Sequence, residues 1–189
     1  MWRKFRNSWL DHRPTLFFVD LEFSSYQNDF EFYEICVADV HGKIILNTIV
    51  DYGYSTQAMS DGIDHFLHRK CVEKIYEAPS DRYPQNAMTM AQVADRLSEY
   101  LTPESLWVEW STNLCDYSRV FQALKKLGRA WIMPPISNVF RLNIAWRFVL
   151  TDFDVSCRLS VLYRMIGRYG TELSSLAHRA EPDVRMMYE

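Results

Sequence analysis

The chain has 189 residues, which suits one domain better than two. Hydrophobic residues make up 48% of it and aromatic residues 15%, a composition that excludes an intrinsically disordered chain. The net charge of −3 argues against a protein that coats nucleic acid by charge alone. The sequence shows neither a secretory signal nor an apolar run of membrane-spanning length. We therefore expect one intracellular domain over residues 1–189, whether complete or cut from a longer protein.

The first part of the chain predicts three strands. Residues 15–19 form a short run of apolar and β-branched side chains, which is typical of a buried central strand. Residues 32–40 and 43–50 also have strand character, and only His41 and Gly42 separate them. So short a connection predicts an antiparallel hairpin.

Helices and strands alternate in the rest of the chain. Thr89 followed three residues later by Gln92 predicts a capped helix start, and Gly128 marks a helix end. Further strands are expected at 106–110 and 136–140, and helices at 63–77, 89–101, 116–127, 141–150, 155–166 and 181–189. The sequence thus predicts an α/β fold with a mixed five-stranded sheet flanked by helices.

An acidic pair follows the first strand. Asp20 and Glu22 are two residues apart, so on a strand they point to the same side. Two carboxylates beside a buried strand are costly unless a cation or a hydrogen-bond donor meets them. The spacing itself is weakly specific, because it recurs at Asp29 and Glu31 in a polar segment. A solvated, structural role for the first pair therefore stays open.

Two other weak signals lie further along the chain. Asn113 and Asp116 follow the strand at 106–110 and open a helix, where an aspartate is most simply a helix N-cap. His178 precedes Asp183 by five residues, and a surface histidine is its simplest interpretation.

Taken in order, these three signals resemble the DEDDh family of 3′–5′ exonucleases. The residues that carry the resemblance are Phe-Phe-Val-Asp20-Leu-Glu22, Asn113-Leu-Cys-Asp116 and His178-Arg-Ala-Glu-Pro-Asp183. The resemblance extends from about residue 15 to residue 189. It implies a ribonuclease-H-like fold, in which three antiparallel strands are followed by parallel ones.

The resemblance also implies a metal-dependent chemistry. Hard oxygen ligands suit Mg²⁺ or Mn²⁺, and two such ions support phosphodiester hydrolysis. A histidine that titrates near neutrality suits a general base. By this resemblance the metal ligands would be Asp20, Glu22, Asp116 and Asp183, the base His178, and the substrate-binding residues Leu21, Phe23, Ser24 and Asn113.

The implied partner is the 3′ end of a single-stranded nucleic acid or a short oligonucleotide, which would be degraded to nucleoside monophosphates. The chain departs from the family pattern after the acidic pair, where Phe23-Ser24-Ser25 replaces Thr-Thr-Gly or a similar run. RNA and DNA stay open as substrates. So do two other functions: a catalytically silent exonuclease-like domain that binds nucleic acid or protein, and a metal-dependent endonuclease of the same fold. Arg168, Arg179 and Arg185 are candidates for phosphate contacts or for a solvated helix face.

Overall fold

The fold is built around one mixed six-stranded sheet. The computed structural model describes residues 15–23, 31–54, 58, 72–76, 87–111, 113–149, 159, 163 and 179–188. The strands are β1 (Leu16–Glu22), β2 (Glu34–Asp39), β3 (Ile44–Asp51), β4 (Met88–Thr89), β5 (Leu106–Glu109) and β6 (Val139–Arg141). Their order across the sheet is β4-β3-β2-β1-β5-β6.

The strand directions follow the predicted pattern. β1, β2 and β3 pair antiparallel, with Asp20 opposite Cys36 and Glu22 opposite Glu34. β5 lies parallel to β1 on its other side, and β6 is parallel to β5. The five strands predicted from the sequence are all present, although the last begins at Val139 because residues 136–138 form a 3₁₀ turn. The two-residue β4, parallel to β3 at the edge, adds a sixth.

Helices cover both faces of the sheet. They are α1 (Met90–Ser98), α2 (Cys115–Lys126), α3 (Leu142–Val149) and α4 (Ala180–Tyr188). The predicted capping box at the start of α1 is confirmed: the Thr89 hydroxyl accepts from the Gln92 N–H at 3.3 Å, and Gln92 Oε1 accepts from the Thr89 N–H at 2.8 Å. Gly128, at a φ of +71°, follows the end of α2 as expected. Most of the predicted helices at 63–77 and 155–166 lie outside the described residues.

The side chains of β1 alternate between the two faces of the sheet. Phe17, Val19 and Leu21 belong to the main core, which also contains the inner faces of α1 and α2. Phe18 packs on the opposite side of the sheet, against a cluster that includes Ala180 and Val184 of α4. Since strand side chains alternate, Asp20 and Glu22 lie on the α4 side. Among the described helices, none has both the length and the apolar character needed to cross a bilayer.

Candidate metal centre

Three carboxylates converge between β1 and α4. Asp20, Glu22 and Asp183 each offer an oxygen, and these oxygens all lie within 4.8 Å of one another. The strand period places the first two side by side, and α4 brings Asp183 across the sheet to meet them. Glu22 is only 9% exposed, and the other two are half-buried. The structure therefore joins the first and last acidic signals of the sequence in one place.

Asp116 approaches the same cluster from α2. It is the second residue of that helix and is 5% exposed. Burial is the main cause that raises the pKa of Asp116, followed by the charge of Glu109 and then by those of Glu22 and Asp183. After burial, the charge of Asp116 is in turn the largest cause of the raised pKa of Asp20. Asp116 is not one of the three residues whose oxygens lie within 4.8 Å, so it adds charge at the margin of the centre.

The carboxylates resist ionisation when no cation is near. Burial is the main cause that raises the pKa of Asp20, followed by the charges of Asp116, Asp183 and Glu22. Burial, followed by the charge of Asp183, raises the pKa of Glu22 from 4.5 to about 8. A hard divalent cation would relieve both causes, because it replaces lost hydration and neutralises the mutual repulsion. This set of oxygen donors fits Mg²⁺ or Mn²⁺.

Asp116 is not a helix N-cap, so the simple interpretation of that residue is wrong. The N-cap position of α2 is Leu114, which has a φ of +56° and makes no side-chain capping bond. The Ser111 hydroxyl accepts from the Cys115 N–H at 3.0 Å instead. The capping role thus falls to Ser111, and the charge of Asp116 acts on the acidic cluster.

Glu109 is a further buried carboxylate at the start of α2, and the sequence analysis did not identify it as a candidate. It is fully buried at the end of β5, where its Oε2 accepts from the Tyr117 N–H at 2.8 Å and from Trp107 Nε1 at 3.1 Å. Its Oε1 accepts from the Ser111 hydroxyl at 2.5 Å. Glu109 thus ties the first turn of α2 to the sheet and, after burial, is the largest cause of the raised pKa of Asp116. A glutamate inside the apolar run Leu-Trp-Val-Glu-Trp was the signal that could have revealed it.

A second buried glutamate holds the start of α4. Glu34 is 2% exposed and binds the guanidinium of Arg179 through Nε at 3.0 Å and Nη2 at 2.8 Å. Its Oε2 also accepts from the Ala180 N–H at 3.2 Å. Arg179 was a candidate phosphate ligand, and in the structure its guanidinium binds Glu34. Arg185, the second such candidate in the described residues, binds Glu181 at 2.7 Å.

The predicted substrate-binding residues have different surroundings. Leu21 is buried in the main core, so any contact with a nucleotide would come from its backbone. Phe23 is half-buried beside Glu22, with the Arg119 guanidinium carbon 4.0 Å from its ring centre. Asn113 is exposed. Ser24 and His178 lie outside the described residues, as does the third candidate phosphate ligand, Arg168.

No protein-family model matches the chain, and no curated protein matches it. Solved exonuclease structures are similar to it in fold, and two of them follow. One is the zinc-ion-bound form of E. coli ExoI in complex with single-stranded DNA, at a TM-score of 0.59 and 15% identity over 93% of this chain. The other is a structure of exonuclease I, at a TM-score of 0.53 and 17% identity, also over 93% of this chain. The chain spans 39% of the length of each. It therefore has the ribonuclease-H-like α/β fold of these exonuclease structures.

Proposed function

We propose that this chain is a metal-dependent 3′–5′ exonuclease of the DEDDh type. It hydrolyses phosphodiester bonds at the 3′ end of single-stranded RNA or DNA and releases nucleoside monophosphates. The observation that carries the proposal is the convergence of Asp20, Glu22 and Asp183, whose oxygens lie within 4.8 Å of one another on a fold shared with exonuclease I.

The acidic cluster would hold the catalytic ions. Asp20, Glu22 and Asp183 are the central ligands, and Asp116 completes the set from the start of α2. Two bound Mg²⁺ or Mn²⁺ ions would supply a water nucleophile and neutralise charge on the attacking and leaving oxygens. The protein contributes fixed ligand positions, because β1 and the anchored ends of α2 and α4 hold the four side chains in place.

His178 is the proposed general base. It directly precedes Arg179, which Glu34 fixes at the entrance to α4. In this proposal its imidazole accepts the proton of the attacking water, a role that suits a group titrating near neutral pH.

The substrate end would lie beside Glu22. The half-buried ring of Phe23, backed by the Arg119 guanidinium, offers an aromatic surface for a terminal base. The Arg119 Nη1 also donates to the Glu31 carbonyl at 2.8 Å, which fixes the guanidinium against the ring. Ser24, Asn113 and the backbone of Leu21 are the other proposed contacts.

End-labelled oligonucleotides test the proposal. With Mg²⁺ or Mn²⁺, a 5′-labelled single strand should shorten one nucleotide at a time, and a 3′-labelled one should release labelled mononucleotide at once. Running the assay with RNA and with DNA identifies the substrate. Glu22→Gln should abolish the activity, whereas Glu104→Gln at an exposed position is the matched control and should retain it.

Two outcomes would contradict the proposal. Cleavage of a circular single strand would identify an endonuclease. Binding of the oligonucleotide without any metal-dependent cleavage would identify a catalytically silent binding module.

A further inference from the structure

The ion pair between Glu34 and Arg179 joins β2, the neighbour of the ligand-bearing strand β1, to the start of α4. Glu34 is buried and Arg179 is half-buried. Glu34 lies on β2 directly opposite Glu22 of β1. Arg179 immediately precedes α4, the helix that carries Asp183. The pair therefore connects the sheet, which carries Asp20 and Glu22, with the helix that carries Asp183.

The contacts of Glu34 fix the position of this helix start closely. The two carboxylate oxygens receive the guanidinium along two N–H directions, at 3.0 and 2.8 Å. Such bidentate pairs are geometrically more specific than single contacts. The same carboxylate accepts from the Ala180 N–H, one of the groups that has no partner within its own helix.

The constraint passes directly to Asp183. Its backbone N–H donates to the Arg179 carbonyl at 3.2 Å, one helical turn earlier. Ala180 and Val184 then pack in a small cluster with Cys36 of β2. A displacement of Arg179 would therefore move the carboxylate of Asp183 relative to Asp20 and Glu22.

The charge of the pair is also balanced next to the acidic cluster. Glu34 and Arg179 carry opposite formal charges and bind each other directly. The pair therefore holds the start of α4 without adding a net formal charge beside the metal ligands.

We propose that Glu34 is a positioning residue, which acts through Arg179 to hold Asp183 in the metal centre with Asp20 and Glu22. This inference rests on the proposed function, since it concerns the same ligands. It predicts that breaking the pair weakens divalent-cation binding by the folded protein, in addition to any loss of stability. Loss of a group that orients a metal ligand typically costs about 10–100-fold in metal affinity.

The test is calorimetric titration of Mn²⁺ into the parent and four variants, each verified as folded by circular dichroism. Glu34→Gln should lower the affinity about 10–100-fold. Arg179→Lys keeps the charge but cannot form the two-pronged contact, so it should lie between the parent and Glu34→Gln. Arg185→Gln is the control, because it removes an arginine of α4 that binds Glu181. Its affinity should stay near that of the parent.

The double variant Glu34→Gln with Arg179→Gln separates position from charge. It leaves no buried unpaired charge, so it should fold even where Glu34→Gln alone does not. A lowered Mn²⁺ affinity in this charge-balanced protein supports the positioning role. Parental affinity in the double variant would overturn the inference, because the pair would then act through charge alone or only on stability. Absence of Mn²⁺ binding by the parent would overturn the proposed function itself, and this inference with it.

Discussion

Replacing Asp20 by Asn removes one charge from the acidic cluster while it keeps the shape of the side chain. Two unit charges 4.8 Å apart, the outer limit between the clustered oxygens, repel by about 3.5 kcal/mol at an effective dielectric constant of about 20. Asp20 faces such charges on Glu22 and Asp183. The raised pKa values mean that protonation already relieves part of this repulsion. We therefore expect Asp20→Asn to stabilise the metal-free protein by about 1–2 kcal/mol, which raises Tm by roughly 2–8 °C.

Divalent metal should affect the two proteins differently. The parent gains about 2.7 kcal/mol when the free ion is at 100 times its Kd, because the ion binds only the folded state. Asp20→Asn should show little of that gain and almost no nuclease activity. Thermal melts in EDTA and in MgCl₂, followed by circular dichroism, measure both effects. A variant that melts clearly below the parent in EDTA, or that responds fully to Mg²⁺, would show that these carboxylates do not form one site.

Three further outcomes are expected. They concern the pH dependence of stability, the proposed base His178 and the contact of Ser111 with the start of α2. The pKa of Glu22 is raised from 4.5 to about 8, so the folded protein retains a proton that the unfolded chain releases. The stability of the metal-free protein should therefore fall as pH rises from about 4.5 to about 8, by at most about 1.4 kcal/mol per pH unit for this group. Thermal melts in EDTA measure this, and a Tm that rises over that pH range would contradict it. His178→Ala should keep Mn²⁺ binding in calorimetry but lose about 10²–10⁴-fold in turnover, and unchanged turnover would remove His178 from the mechanism. Ser111→Ala removes the acceptor for the Cys115 N–H and should lower the free energy of unfolding by about 1 kcal/mol in urea titrations. An unchanged urea midpoint would show that Glu109 alone anchors the start of α2.

Local chemistry along the chain determined much of this fold. The apolar run before Asp20 indicated the central strand, and the two-residue connection at His41 and Gly42 indicated the hairpin. Thr89 and Gln92 marked the start of α1 because a capping box is satisfied within four residues. Strand alternation also placed Asp20 and Glu22 on one side, since a period of two is a property of the backbone itself.

The short elements could not be predicted in the same way. β4 has only two residues, Met88 and Thr89, and exists because it pairs with the edge of β3. Residues 136–138 adopt a 3₁₀ turn although they resemble a strand in composition. β4 thus depends on a strand distant in sequence, which a local pattern does not contain. The 3₁₀ turn is held by local hydrogen bonds instead, among them the Asn138 N–H to the Pro135 carbonyl at 2.8 Å.

The acidic site was likewise predictable from local sequence only in part. Each acidic motif of the site is visible in the sequence. A function can be assigned to the motifs only because their order along the chain resembles that of a known family. That Asp183 meets Asp20 and Glu22 depends on how α4 packs on β1 and β2, where the contact of Arg179 with Glu34, 145 residues away, holds the start of the helix. The same holds for Glu109, which is buried beside the first turn of α2 and, after burial, is the main cause of the raised pKa of Asp116. Sequence alone determined which carboxylates were available, whereas tertiary packing decided which of them meet, because burial and mutual repulsion arise only when distant segments come together.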